Sequence, residues 1–295
     1  MQVITKAVLP AAGLGTRLFS ATKEQPKEML PIFAATEDGT LCLKPIVQQI
    51  FEQLFDFGIR EFYFVVGRGK RAIEDHFTPE RDAIDLLSAH GKSSLATDLE
   101  DFYTRIQEST IVWVNQPEPK GFGDAVLQAR RLVGRDEFFV HAGDTLIISS
   151  KTAVVPTRLN EARLEEDADT ILTIQEVEDP RQYGVAEASE KSNGTYEVKR
   201  VVEKPEQPAS NLALMPLYIF SPTIFDALKR TTPGKGGEVQ LTDAIQRLID
   251  EKHGVQAIKL YTDDIRLDIG TPETYWEAVK LSYRYAISQQ RPQDR

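Results

Sequence analysis

The sequence predicts an α/β fold on a mixed, mainly parallel central sheet flanked by helices, with a smaller antiparallel portion. Three observations carry that prediction. An apolar run from Val3 to Leu9, closed by Pro10, reads as a buried strand that leads straight into a Gly-rich turn. From Lys44 to Phe57, Ile46, Val47, Ile50, Phe51, Leu54 and Phe55 recur at helical spacing and stop at Gly58, after which Glu61 to Val66 is again strand-like. Strand, helix, strand in that order makes a right-handed parallel unit. Past His141 the alternation breaks, and strands follow one another without long helices between them.

In chain order, Gly67 and Gly69 close the second strand, and two helical patterns around Gly91 fill Ile84 to Ile106 as a covering insertion. Ile111 to Asn115 is the third strand, Phe122 to Leu132 a helix, and Glu137 to His141 the fourth strand, ending at Gly143-Asp144. Thr170 to Val177, Gly184 to Ala188, Thr195 to Val202 and Leu214 to Phe220 form the antiparallel portion. Helices return at Ser221 to Lys229, Val239 to Glu251 and Pro272 to Ile287, and the tail from Gln289 is polar and frayed. No repeat, low-complexity tract or Pro/Ser-rich linker divides the chain, so one domain is expected over residues 1–295.

Bulk properties bound the function. With 41% hydrophobic and 27% charged residues the composition is that of a globular protein. No apolar run reaches the ~18 residues of a membrane span, and the N-terminus has no signal-peptide pattern. The single cysteine, Cys42, excludes an internal disulfide and fits a reducing cytoplasm. The net charge of −10 argues against nucleic acid as a partner, because such binding rests on Lys and Arg neutralising phosphates. Any anionic substrate must be met by local positive charge.

The turn after the first strand supplies it. Ala11-Ala12-Gly13-Leu14-Gly15-Thr16 is followed by Arg17, Lys23 and Lys27. Two glycines this soon after a strand let the backbone pass close to a ligand, with several N–H groups facing one concavity that suits phosphate. Arg17 and Lys27 add charge for a triphosphate. Leu18 occupies the third-glycine position of the dinucleotide fingerprint, and no Gly-Lys-Ser/Thr follows, so neither that motif nor a P-loop is present. An ordinary strand-to-helix turn has much the same composition.

Three further stretches fall at strand ends, where ligands of open α/β sheets collect. Gln116-Pro117-Glu118-Pro119-Lys120-Gly121 offers a side-chain amide that donates and accepts, matching the imide edge of uracil or thymine. Gly121 would let the base lie against the backbone, and a valine there is expected to crowd the base without disturbing the free protein. Asp144 and Asp268 are carboxylates just past strand-like segments, the kind that hold Mg²⁺ together with phosphate oxygens. Taken singly, such an aspartate is more often a cap or turn residue. His141 has no metal-like spacing to His76, His90 or His253 and reads as structural. Tyr183-Gly184-Val185 and Val202-Glu203-Lys204-Pro205 complete the set; Lys204 can serve as a point charge ahead of a proline, although Glu-Lys-Pro alone reads first as a surface turn.

Gly13-Leu14-Gly15-Thr16-Arg17 followed by Gln25-Pro26-Lys27-Glu28-Met29-Leu30-Pro31 resembles the signature of the sugar-1-phosphate nucleotidylyltransferases. The uridylyltransferase branch is nearest and the thymidylyltransferase branch close behind. The resemblance covers about Val3 to Ala286. It extends to the Gln116–Gly121 stretch, both aspartates, Glu203-Lys204-Pro205 and Gly236-Gly237-Glu238-Val239-Gln240-Leu241-Thr242-Asp243. Gly143 departs from it, since uridylyltransferases commonly carry a second acid there. Asp268-Ile269-Gly270-Thr271-Pro272-Glu273 likewise looks more like the thymidylyltransferases.

The resemblance implies a Rossmann-like nucleotidyltransferase fold. Its nucleotide-binding part would span about 1–145, its sugar-binding part about 146–270, and a C-terminal helix about 271–288. It implies nucleotide contacts from Ala11, Ala12, Gly13, Gly15, Thr16 and Arg17, with Gln116 and Gly121 on the pyrimidine. Gly184 and Glu203 would hold sugar hydroxyls, Lys204 the sugar phosphate, and Asp144 and Asp268 Mg²⁺. Arg17, Lys27 and Lys204 are the expected catalytic residues. The implied reaction joins UTP and glucose 1-phosphate into UDP-glucose and pyrophosphate, in a cytoplasmic homo-oligomer. A dTTP-dependent enzyme, and a non-catalytic nucleotide-sugar-binding relative, are the alternatives.

Overall fold

The computed structural model describes residues 4–149 and 154–289 of the 295 in the chain. Val3, and the polar tail beyond Gln289, lie outside them. Thirteen strands are defined among the described residues. They are β1 (Lys6–Pro10), β2 (Pro31–Ala35), β3 (Leu41–Pro45), β4 (Glu61–Val66), β5 (Thr110–Asn115) and β6 (Phe138–His141). The rest are β7 (Thr145–Ile148), β8 (Thr170–Glu176), β9 (Gly184–Glu190), β10 (Tyr196–Glu203), β11 (Leu212–Phe220), β12 (Val255–Lys259) and β13 (Ile265–Asp268).

Nine of them form one sheet in the order β5-β4-β1-β6-β11-β8-β12-β10-β9. The run β5-β4-β1-β6 is parallel, and every other pairing except β8–β12 is antiparallel. The mixed α/β class holds, with an antiparallel part as wide as the parallel one. Alternation along the strands divides the core between the sheet's two faces. Ala7, Leu9, Phe62, Phe64 and Phe139 face one side, while Val8, Tyr63, Val65, Phe138 and Val140 face the other.

The helix expected from Lys44 begins at Ile46. Lys44 precedes Pro45, which disfavours helical backbone at the residue before it, so both complete β3 instead. The helix then buries Ile46, Val47, Ile50, Phe51, Leu54 and Phe55 and stops at Gly58, whose φ of 125° ends the turn. The covering insertion consists of helices Arg81–Ala89 and Ser93–Gln107, broken at Gly91.

The structure adds a hairpin, a helix, a further sheet strand and a separate strand pair to the expected elements. Strands β2 and β3 make an antiparallel hairpin around Thr36 to Thr40, whose Asp38-Gly39 pair was a turn signal. Helix Val155–Glu166 buries Val155, Leu159 and Ala162, again at helical spacing. Strand β12 lies beside β8. Strands β7 and β13 are four residues each and pair antiparallel away from the main sheet.

Candidate active site

Chain order in the parallel part reads third, second, first, fourth, so the direction of winding reverses between β1 and β6. Loops leaving those two strands diverge at their carboxyl ends, the position where such sheets bind ligands. A cleft of about 660 Å³ opens there. The two loops are tied together at its base, where the Gly143 N–H donates to the Pro10 carbonyl at 3.1 Å.

After β1 the turn is held by its own backbone. Gly15 has φ 62°, and its carbonyl accepts from the Leu18 N–H at 2.9 Å and the Thr22 hydroxyl at 2.9 Å. That left-handed bend suits a residue without Cβ, and an added Cβ would lie 3.0 Å from Thr22 Oγ1. Ala12, Gly13, Gly15, Thr16, Arg17 and Lys27 all line the cleft. Ala11, expected among the nucleotide contacts, does not. It is buried, and its N–H donates to the Val65 carbonyl at 2.8 Å, continuing the sheet by one residue. Lys23 is also off the wall, exposed beside Glu24 at 3.5 Å.

The centre of the cleft holds three charges. The Lys27 ammonium is ion-paired with the Asp144 carboxylate. Pairing of β7 with β13 sets Asp268 opposite Thr145, and the Thr145 hydroxyl lies 3.3 Å from a carboxylate oxygen of each aspartate. Two residues 124 positions apart in sequence thus meet because of a strand pair that lies off the main sheet. Burial disfavours both Lys27 and Asp144 as ions. Their mutual attraction more than offsets it, holding the ammonium above its ordinary pKa and the carboxyl below. Asp268 is pushed up, by burial first and by the Asp144 charge second. Glu28 and Lys70 form a buried ion pair at 2.8 Å next to this centre, and Glu28 is also pushed up by burial.

Among the described residues no three or more His, Cys, Asp or Glu side chains gather as a metal site. A pair of close carboxylates, one with a raised pKa, still suits Mg²⁺, which takes one or two carboxylates and completes its shell with phosphate oxygens and water. His141 is fully buried, its Nδ1–H donating to the Ala142 carbonyl at 2.8 Å, and is not part of the cleft wall.

At one end of the cleft, Gln116 is 4% exposed. Its Nε2 donates to Asp124 Oδ2 at 2.7 Å and to the Gly121 carbonyl at 3.2 Å. Gly121 has φ 107°, and a Cβ there would lie 2.7 Å from Glu238 Cβ and 2.9 Å from the Val239 carbonyl. The protein's own packing therefore demands this glycine. A valine at 121 would disturb the free protein, contrary to what the sequence led us to expect.

Elsewhere on the wall, Glu203 accepts from the Thr242 hydroxyl at 2.7 Å and pairs with Lys204 at 2.9 Å. Lys204 sits at φ 43°, its N–H donating to the Tyr183 carbonyl at 2.9 Å and its own carbonyl accepting from Lys235 Nζ at 2.6 Å. A Cβ on Gly184 would approach Thr242 Oγ1 to 2.8 Å, so the glycine leaves room for the Thr242–Glu203 bond. Thr242 comes from the Gly236–Asp243 stretch, and Asp243 itself does not line the cleft. Arg266, two residues before Asp268 on β13, reaches the wall and donates to the Tyr183 hydroxyl at 2.9 Å. Its period-two spacing from Asp268 was the available signal.

A triphosphate-sized cleft with a glycine cradle, cationic side chains and paired carboxylates at a parallel-sheet switch point defines an α/β enzyme that handles nucleotides. The finer assignment comes from likeness along the whole chain. Residues 6–283 match the model of the nucleotidyl transferase family, and the chain belongs to that family. A UTP–glucose-1-phosphate uridylyltransferase of Staphylococcus haemolyticus is 38% identical over 100% of this chain and 96% of its own length. One from Staphylococcus epidermidis is also 38% identical, over 97% and 94%. Among solved structures, a UDP-glucose pyrophosphorylase complexed with UDP-glucose superposes with a TM-score of 0.82 at 33% identity, covering 96% of this chain and 100% of that one. A UTP-bound enzyme from Acinetobacter baumannii gives 0.78 at 27% identity, over 98% and 100%.

Proposed function

We propose that this chain joins UTP and glucose 1-phosphate into UDP-glucose and pyrophosphate. Full-length similarity to uridylyltransferases supports the reading. The observation that carries it is that one cleft is lined together by the cradle and Lys27, by the Glu203–Lys204 pair and by Asp144 and Asp268. Two phosphorylated substrates meeting head to head need cations for each and carboxylates for a bridging metal in one cleft.

In this reading Ala12, Gly13, Gly15, Thr16 and Arg17 hold the triphosphate, with Ala11 supporting them from the sheet. Gln116 faces the uracil, and Gly121 shapes the backbone beside it. Gly184 and Glu203 bind sugar hydroxyls, and Lys204 binds the phosphate of glucose 1-phosphate. A phosphate oxygen of the sugar forms the new bond to the α-phosphorus as the bond to the β-phosphate oxygen breaks, and pyrophosphate leaves. The attacking phosphate is already ionised at neutral pH, so these residues need only position it and balance charge. Arg17 and Lys27 offset the charge that builds on the leaving side. Asp144 and Asp268 would hold Mg²⁺, which when bound neutralises phosphate charge and makes the α-phosphorus more electrophilic.

The nucleotide would occupy a part formed by about residues 1–145 and the sugar a part formed by about 146–270, within a single domain. The helix from Pro272 to Ser288 follows them. Trp276, Tyr283 and Ile287 are exposed on one stripe of that helix, which supports a homo-oligomer. Among the described residues no helix is long and apolar enough to cross a membrane. The single, partly buried Cys42 fits a cytoplasmic enzyme.

Pyrophosphate release measured across the four ribonucleoside triphosphates and dTTP, with several sugar 1-phosphates, tests the reading. UTP with glucose 1-phosphate is expected to give the highest kcat/KM. A ratio favouring dTTP would assign the chain to thymidylyl transfer, and no turnover with any pair would leave a binding role.

A further inference from the structure

Resting on that reading, we propose that Asp124 is a positioning residue that fixes which way round the Gln116 amide is presented, and so makes the site reject cytosine. Asp124 lies behind Gln116, off the cleft wall, on the helix Phe122–Gln128. Gln116 carries two amide hydrogens, and the structure uses both. One goes to Asp124 Oδ2 at 2.7 Å and the other to the Gly121 carbonyl at 3.2 Å. An ionised carboxylate and a peptide carbonyl can only accept. Turning the amide over would set its oxygen 2.7 Å from a carboxylate oxygen, an arrangement with repulsion and no bond.

Asp124 is itself held. Its second oxygen accepts from Gln128 Nε2 at 3.2 Å, one turn further along the helix. Gln116 is anchored from its own backbone too, with its N–H donating to the Val66 carbonyl at 2.8 Å. The side chain is therefore oriented before any ligand arrives, and Oε1 is the polar atom it has left to offer. An amide oxygen accepts from N3–H of uracil. Cytosine has no hydrogen on N3 and would set a lone pair against that oxygen. The amide that could in principle serve either base is committed to one of them by a residue that touches neither.

Asp124→Asn tests this with little change of volume. Asparagine can both donate and accept, so both orientations of Gln116 become available and Nε2 can face N3 of cytosine. Steady-state kcat/KM is measured for UTP and CTP with glucose 1-phosphate, in the full-length wild type and in the variant. The wild type is expected to prefer UTP by ~10³-fold or more, since a site that pairs a polar edge rejects an analogue lacking the match. In Asp124→Asn that ratio should fall at least ~10-fold, mainly through improved use of CTP. Asp124→Ala should shift the ratio in the same direction. An unchanged ratio, or an equal loss with both bases, would overturn the proposal and leave Asp124 as a packing residue. A wild type that turns over neither pyrimidine triphosphate would instead overturn the uridylyl-transfer reading, so the two failures are distinct.

Discussion

The ammonium of Lys27, on the segment after β1, is ion-paired with the carboxylate of Asp144, on the loop after β6. The contact spans the switch point of the sheet and closes the cleft floor. Each partner needs the other, because burial alone disfavours both charges. In the proposed complex a triphosphate would give Lys27 acidic oxygens on both sides, between which it could share its three donors.

Lys27→Ala should therefore remove a contact to developing charge and also leave Asp144 buried without its cation. We expect kcat/KM for UTP to fall ~10²–10³-fold, with UTP affinity weakened as well. Steady-state kinetics and titration calorimetry check this. Retention of near-normal turnover would remove Lys27 from the reaction.

Asp144→Asn and Asp268→Asn should each nearly abolish turnover while the chain stays folded. Both keep volume, and each takes one charge from a pair that Thr145 bridges. A loss of ~10²–10³ in kcat is expected at saturating Mg²⁺, with folding checked by circular dichroism. Either variant working near the wild-type rate would show that two carboxylates are not required.

Lys204→Ala should fail in another way. Lys204 belongs to the end of the cleft where Glu203, Thr242 and Tyr183 meet. Calorimetry should find UTP binding close to normal, while the rate no longer saturates with glucose 1-phosphate. Equal loss of UTP binding in Lys27→Ala and Lys204→Ala would sink this division of labour.

The cradle, the Gln116 stretch and the Glu203-Lys204 pair were legible because glycine and charge at strand ends are local signals. Asp144 and Asp268 were paired from their strand-end positions and the resemblance, but the β7–β13 pairing that joins them across the chain was not legible, since two four-residue strands leave little periodicity to read. Ala11 was misplaced because a Gly-rich run does not disclose which of its N–H groups the sheet keeps for itself. The packing demand on Gly121 was not legible. Its partner is the Glu238–Val239 segment, more than a hundred residues away.

His141 should make the fold acid-sensitive. Burial pushes its pKa down to about 4 against an ordinary 6.5, and Nε2 has no partner in the structure. The unfolded chain then binds the proton more readily between those values. Stability is full above about 6.5 and falls as pH drops towards 4, by about 2 kcal/mol at pH 5 from this group. His76, also pushed down to about 4 by burial, adds to the same slope. Urea unfolding at pH 7.5 and pH 5.0 should show the loss, and His141→Phe should show less of it. A variant with the same pH dependence as the wild type would exonerate His141.

Two glycines of the cleft should respond to substitution in opposite ways. Gly121 has φ 107°, where a β-branched residue is a marked outlier, and a Cβ would lie 2.7 Å from Glu238 Cβ. Gly121→Val should cost roughly 3 kcal/mol of stability from backbone strain and overpacking together, before any ligand is added. Gly13 has no such constraint. Its nearest neighbour for an added Cβ is Lys27 Cε at 3.7 Å, an ordinary contact. Gly13→Ala should therefore unfold at nearly the wild-type urea midpoint, yet in the proposed complex it would set a methyl beside the triphosphate and Lys27. Its kcat/KM for UTP should drop by ~10-fold or more, because a small misplacement at the reacting phosphate is costly. Unfolding curves and kinetics on the two purified variants separate the cases. If Gly121→Val folds as well as the wild type, the Glu238–Val239 contact does not set the need for glycine at 121. If Gly13→Ala keeps full activity, the cradle leaves more space around the phosphates than its geometry gives.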